Sequence, residues 1–79
     1  MKVKAFYWKN SHQCVILVDE LGYEYDLWHG AFANVRRRSE KAVQNGRVYG
    51  IGKNGFDLFV SGRRVFIAYS DISVMWNIH

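Results

Sequence analysis

Proline is missing from this chain, and cysteine occurs once, as Cys14. The first absence excludes a polyproline ligand segment and a proline-stiffened linker. The second excludes an internal disulfide, and no Cys/His pair has the spacing of a zinc site. Long apolar runs are also lacking. None approaches the roughly 18 residues of a transmembrane helix. Met1-Lys2-Val3-Lys4 opens without the apolar core of a secretory signal. These absences together predict a cytoplasmic protein without membrane association. No internal repeat or low-complexity stretch divides the chain, so residues 1–79 are read as one domain.

A domain of this size buries only about 60% of its unfolded surface and needs a dense core to compensate. Three Trp, five Tyr and five Phe within a 49% hydrophobic composition supply that density. Net charge is +4, unevenly spread. Asp19, Glu20, Glu24 and Asp26 crowd one short stretch, whereas residues 27–64 carry eight basic side chains against Glu40 and Asp57. Such asymmetry predicts two faces, one of them attractive to an anionic surface.

The organising stretch is Phe56-Asp57-Leu58-Phe59-Val60, flanked by Asn54-Gly55 and Ser61-Gly62. Both pairs have the chemistry of two-residue hairpin turns. Taken so, they predict Leu58 opposite Ile51 and Val65, Phe56 opposite Ile67, and Val60 opposite Tyr49. In the first half, residues 1–8, 14–18 and 23–27 read as three antiparallel strands. Met1, Val3, Ala5 and Tyr7 form the core side of the first, and Lys2, Lys4, Phe6 and Trp8 the other. The second, Cys14 to Val18, is apolar throughout, as in a strand covered on both faces.

From Trp28 to Asn45 the period changes. Phe32, Val35, Ser39, Ala42 and Val43 follow helical spacing, and Asn45-Gly46 reads as a helix stop. The expected fold is therefore α+β, a β-β-β-α-β-β-β domain with one amphipathic helix on a curved antiparallel sheet or partial barrel.

Gly50-Ile51-Gly52-Lys53-Asn54-Gly55 spells G-x-G-x-x-G, but a strand follows it where a phosphate-binding site needs a helix N-terminus. A hairpin turn is the better reading. In the predicted register Gly50 lies opposite Phe59, whose ring would cover bare backbone. On the predicted helix, Arg37 and Lys41 face solvent while Arg36 and Arg38 flank the core. His12, His29 and His79 are scattered, and no catalytic constellation is legible around Cys14 or a serine. No enzymatic activity, cofactor or metal is expected.

Lys2, Lys4, Phe6 and Trp8, with Phe59, Arg64 and Phe66, would mix cations and rings on exposed sheet. Single-strand nucleic-acid binders use such a mixture, protein hot spots share its composition, and rings beneath a helix would look the same. Gly46-Arg47-Val48-Tyr49-Gly50-Ile51, Lys53-Asn54-Gly55 and Ser70-Asp71-Ile72-Ser73 further resemble the opening strands of the RNA-binding barrel repeats in the largest small-subunit ribosomal protein. That resemblance covers residues 46–73 and implies RNA on the solvent face, at Phe59 and Phe66.

The leading functional expectation is a non-enzymatic protein-binding module that occludes a larger protein or complex. Its size class matches phage-encoded inhibitors such as anti-CRISPR proteins. The alternative is a small nucleic-acid-binding domain using a basic and aromatic sheet surface. The candidate partner-binding residues are Lys2, Lys4, Phe6, Trp8, Arg37, Lys41, Phe59 and Arg64.

Overall fold

The computed structural model describes all 79 residues, and its order is eight strands with one 3-10 turn at Tyr69–Asp71. Strands β1 (Lys2–Lys9), β2 (His12–Val18) and β3 (Glu24–Trp28) form a three-stranded sheet with β2 in the centre. Strands β4 (Phe32–Arg37), β5 (Val43–Tyr49), β6 (Gly55–Val60), β7 (Arg63–Ala68) and β8 (Ile72–Trp76) form a five-stranded sheet in the order β7-β6-β5-β4-β8. Every pairing is antiparallel. No helix is long and apolar enough to cross a membrane.

The expected helix and the α+β class are thus corrected: the domain is two antiparallel sheets. Residues 32–37 and 43–49 are paired strands. Ala31, Ala33 and Val35 are fully buried at every second position, which is strand alternation carried by small residues. The helical spacing of Phe32, Val35, Ser39, Ala42 and Val43 therefore pointed the wrong way. Tertiary packing overrode it.

The two sheets share one core. Val15, Leu17 and Leu27 from the first meet Val35, Val48, Phe56, Leu58, Ile67, Ile72 and Met75 from the second. Burying each such side chain contributes about 1.5 to 3 kcal/mol. The sheets are also tied through backbone, since Val48 exchanges hydrogen bonds with the connection after β3 at Gly30 and Ala31, both 2.7 Å. The N-terminal amine donates to the carbonyls of Tyr69 and Ile72 at 3.1 and 3.2 Å.

Two hairpins close through paired left-handed residues, Asn10-Ser11 (φ 51° and 64°) and Ser61-Gly62 (φ 48° and 79°). The second gives the expected pairs Leu58 with Val65 and Phe56 with Ile67. The Asn54-Gly55 turn does not form. Gly55 lies within β6 opposite Ala68, and β5 pairs with β6 as Arg47–Phe59, Val48–Leu58 and Tyr49–Asp57. Gly50, at φ 55°, begins the longer loop, and Gly52 N–H donates to Gly55 O at 2.8 Å. The offset from the expected register is three residues. An odd offset changes the face, so Tyr49 points outward and Arg47, not Gly50, sits opposite Phe59.

A bulge corrects β1 in the same way. Val3 pairs with Leu17 and Ala5 with Ile16, leaving Lys4 as the extra residue. Phe6 then pairs with the buried Val15 and takes the core-facing side, while Ala5 and Tyr7 face out.

Asp71 holds the β4–β5 loop. Its carboxylate accepts from the Ser39 hydroxyl, from Ser39 N–H at 3.0 Å and from Arg37 Nε at 3.1 Å. The Ser39 hydroxyl first, then the Ser39 amide and the Arg37 guanidinium, hold this carboxyl below its ordinary value of 3.8. A carboxylate whose pKa is depressed by folding stabilises above the unfolded value and stops doing so as pH falls through the folded one. Asp71→Asn should therefore be less stable than wild type at pH 7. The gap should narrow below about pH 4. Urea midpoints at pH 7 and pH 3 measure both quantities, and a gap that stays constant removes the linkage.

Candidate functional site

Antiparallel pairing sets one residue of each strand beside the next, with paired side chains on the same face. On the solvent side of the five-stranded sheet this aligns Arg64 on β7, Phe59 on β6, Arg47 on β5 and Phe32 on β4. Phe32 then exchanges backbone hydrogen bonds with His79 beyond β8, at 2.7 and 2.9 Å. The row alternates cation and ring across the sheet. Below it runs Tyr49, Asp57 and Phe66.

The contacts within this face are specific. The Arg47 guanidinium carbon lies 5.9 Å from the centre of the Phe32 ring, within cation–π range. Arg47 Nη1 also donates to Gly30 O at 3.1 Å, which fixes the fork over the ring. Phe32 and His79 are 5.3 Å apart, and Tyr49 meets Phe59 edge-on at 6.0 Å. Arg64 Nη2 lies 3.3 Å from Asp57 Oδ2, an exposed pair of small energetic weight. Tyr49, Phe59 and Arg64 border a shallow depression of about 230 Å³. Phe59 and Phe66 remain 42% and 55% exposed, too much for core residues and enough for ring faces to be met.

The ring series continues beyond the sheet. His29, on the connection after β3, meets Tyr49 edge-on at 5.1 Å. His12, at the start of β2, lies parallel to His29 within 8° at 6.4 Å. His12 in turn lines a cleft of about 340 Å³ on the outer face of the three-stranded sheet, with Tyr7, Lys9, Asn10, Cys14, Asp26 and Trp28. There Tyr7 donates its hydroxyl to both Asp26 oxygens, at 2.6 and 2.8 Å. That hydrogen bond to the carboxylate raises the Tyr7 pKa. Cys14 is 2% exposed at the floor of this cleft, its thiol 3.5 Å from His12 O.

Among the residues singled out from sequence, Phe59 and Arg64 are brought together as direct cross-strand neighbours. Phe66 lies in the next row of the same face, and the others are dispersed. Lys4 pairs with Glu24 on the three-stranded sheet. Phe6 lies at the core rim, 6.4 Å from the Tyr69 ring. Trp8 is 71% exposed near the Asn10-Ser11 hairpin, and Lys2 sits at the far end of β1. Arg37 is not on a solvent-facing helix stripe with Lys41. It is held by Asp71 and by Glu40, the latter at 3.4 Å, while Lys41 is exposed in the β4–β5 loop. Arg36 faces solvent beside Val43 and Val74.

Arg47, Tyr49, Phe32 and His29 escaped the sequence reading, because the helix and the Asn54-Gly55 turn assigned their stretches differently. No group of three or more His, Cys, Asp or Glu side chains is arranged to hold a metal ion. No family model, curated protein or solved structure matches this chain.

Proposed function

We propose that the solvent face of the five-stranded sheet binds single-stranded nucleic acid. The observation that carries this reading is the row Arg64, Phe59, Arg47, Phe32, His79, in which guanidinium groups alternate with rings across neighbouring strands. Strands in a sheet are about 4.8 Å apart. A chain crossing them meets a cation for its backbone and a ring for its bases in turn. Phosphates need point charges that release counterions, and unpaired bases need flat apolar faces, which every base can use. A stacking surface of this kind is tolerant of sequence.

Fluorescence anisotropy with labelled oligothymidylate and oligouridylate tests the proposal. Binding is expected at low salt and should weaken steeply between about 50 and 200 mM. Phe59→Ala should weaken it by roughly 5- to 150-fold, the equivalent of one lost stacking contact. Arg47→Gln should reduce the salt slope by about 0.7 unit. A folded wild type that binds neither oligonucleotide at low salt ends the proposal.

The second reading is a non-enzymatic protein-binding module that occludes a larger partner, in the manner of small phage-encoded inhibitors. Phe59 and Phe66, exposed and flanked by arginine, favour it, because aromatic and arginine side chains dominate protein hot spots. The alternating row now favours nucleic acid, where sequence composition alone had favoured protein. Stoichiometric capture of one protein partner, lost in Phe59→Ala and accompanied by no oligonucleotide binding, would reverse that preference.

A further inference from the structure

We infer that the cleft on the outer face of the three-stranded sheet binds a phosphocholine group, a quaternary ammonium joined to a phosphate. It stands apart from the nucleic-acid reading, which concerns the other sheet. Strand register sets the side chains of this face in three successive rows. Lys9 pairs with His12 at the hairpin end, Tyr7, Cys14 and Trp28 make the next row, and Asp26 pairs with Ile16 in the third. Such rows are about 6.7 Å apart, two residues of strand rise. Along the strands the order is therefore cation, rings, carboxylate. The short Cys14 side chain lowers the floor between the two rings, and the space of about 340 Å³ falls in the range that holds small ligands.

The Tyr7–Asp26 bond decides which cation fits. The Tyr7 hydroxyl donates to both Asp26 oxygens, at 2.6 and 2.8 Å. It anchors the ring beside the cleft and occupies the side of the carboxylate that N–H groups of a ligand would use. The negative charge remains. A primary ammonium or an amide edge carries N–H donors that must be matched once they leave water. A quaternary ammonium carries none. It needs aromatic surface and a negative charge nearby, which is how aromatic cages hold choline and methylated lysine. Tyr7 and Trp28 supply the rings, and Asp26 lies one row beyond them. At the other end Lys9, exposed and joined by Asn10 and His12, offers a charge and hydrogen-bonding groups to a phosphate. Choline alone would bring a cation to Lys9, and phosphate alone would bring an anion to Asp26. The zwitterion, with its charges separated by an ethylene bridge, matches both ends.

The experiment is a two-dimensional NMR titration of the full chain with phosphocholine, phosphoethanolamine, choline and inorganic phosphate. Phosphocholine is expected to move the Trp28 indole signal and the amides of Lys9 to His12. It should bind at least about fivefold tighter than phosphoethanolamine, whose N–H groups go unmatched. Lys9→Gln, on an exposed side chain, should weaken phosphocholine by about two- to fivefold without weakening choline. Tyr7→Phe keeps the ring and releases both Asp26 oxygens, so the preference over phosphoethanolamine should fall to about twofold or less. Equal binding of the two esters by wild type, shifts located elsewhere, or no shifts at all would overturn the site. So would a preference that Tyr7→Phe leaves unchanged. Co-sedimentation with phosphatidylcholine vesicles separates the two sources of this group. Vesicle binding competed by free phosphocholine assigns a lipid head group, and a phosphocholine response without vesicle binding assigns a soluble ester.

Discussion

Gly46→Ala should remove most of the stability of this domain, on the order of 4 kcal/mol or more, which places it among exceptional single substitutions. Gly46 is buried in the middle of β5, opposite Ala33. A Cβ built there would stand 1.9 Å from the carbonyl oxygen of Phe59 and 2.7 Å from its carbonyl carbon. Those are backbone atoms of β6, so no rotamer change relieves the contact. The strands must separate or the local ladder must break, taking Arg47–Phe59 and Val48–Leu58 with it. Gly22→Ala is the control. Gly22 sits at φ 89° with nothing within 4 Å of the added carbon, so only backbone strain of about 1 to 2 kcal/mol applies. Thermal melts of both variants separate the two effects. If Gly46→Ala is no worse than Gly22→Ala, β5 and β6 do not approach as the structure has them.

Gly46 also marks where sequence reasoning went astray. After Asn45 it looks like a helix stop, since glycine is favoured at the left-handed position that ends helices. In the structure it has no positive φ. Glycine is needed there because another strand passes too close for a side chain, and that requirement belongs to β6, not to the local chain. Local signals were legible where they were sufficient. Ser61-Gly62 carries its own turn chemistry and set β6 against β7 correctly. The three strands of the first half were legible too, the outer two by alternation and Cys14 to Val18 by its continuous apolar run.

Non-local requirements were not legible. The extra residue at Lys4 depends on how β1 lies against β2, and it alone moves Phe6 to the core side and Tyr7 to the cleft. The loop from Gly50 to Asn54 resembles a hairpin turn at its end but turns earlier, at Gly50. One signal was available and outweighed: Ala31, Ala33 and Val35 alternate, with Phe32 and Asn34 between them. Reading that stretch as a strand places Phe32 outward. The candidate site inherits these errors. Phe59 and Arg64 were found because they depend on the correct turn, whereas Arg47 and Tyr49 depend on the misread one and Phe32 on the misread helix.

Leu58→Ala should cost about 2 to 5 kcal/mol, the range for truncating a buried leucine whose surroundings cannot fully collapse. Leu58 has no exposed surface and occupies the centre of β6, with Val48 on one side and Val65 on the other. A 79-residue domain at typical stability holds about 4 to 12 kcal/mol in total. The substitution therefore consumes about a sixth of that at least, and lowers the melting temperature by about 8 °C or more. The collapse that would soften the loss is restricted, because both neighbours are held by ladder hydrogen bonds and Val48 is tied to Gly30 and Ala31 as well. Leu58→Ile keeps the volume and should cost less than about 1.5 kcal/mol. Truncating Val48 in the Leu58→Ala background should be non-additive by about 0.5 to 3 kcal/mol, since the two side chains line one cavity. Urea denaturation of the two single variants and the double measures that coupling. A Leu58→Ala loss below about 1 kcal/mol, or strict additivity with Val48, contradicts the register of β5 against β6 on which the ring and guanidinium row depends.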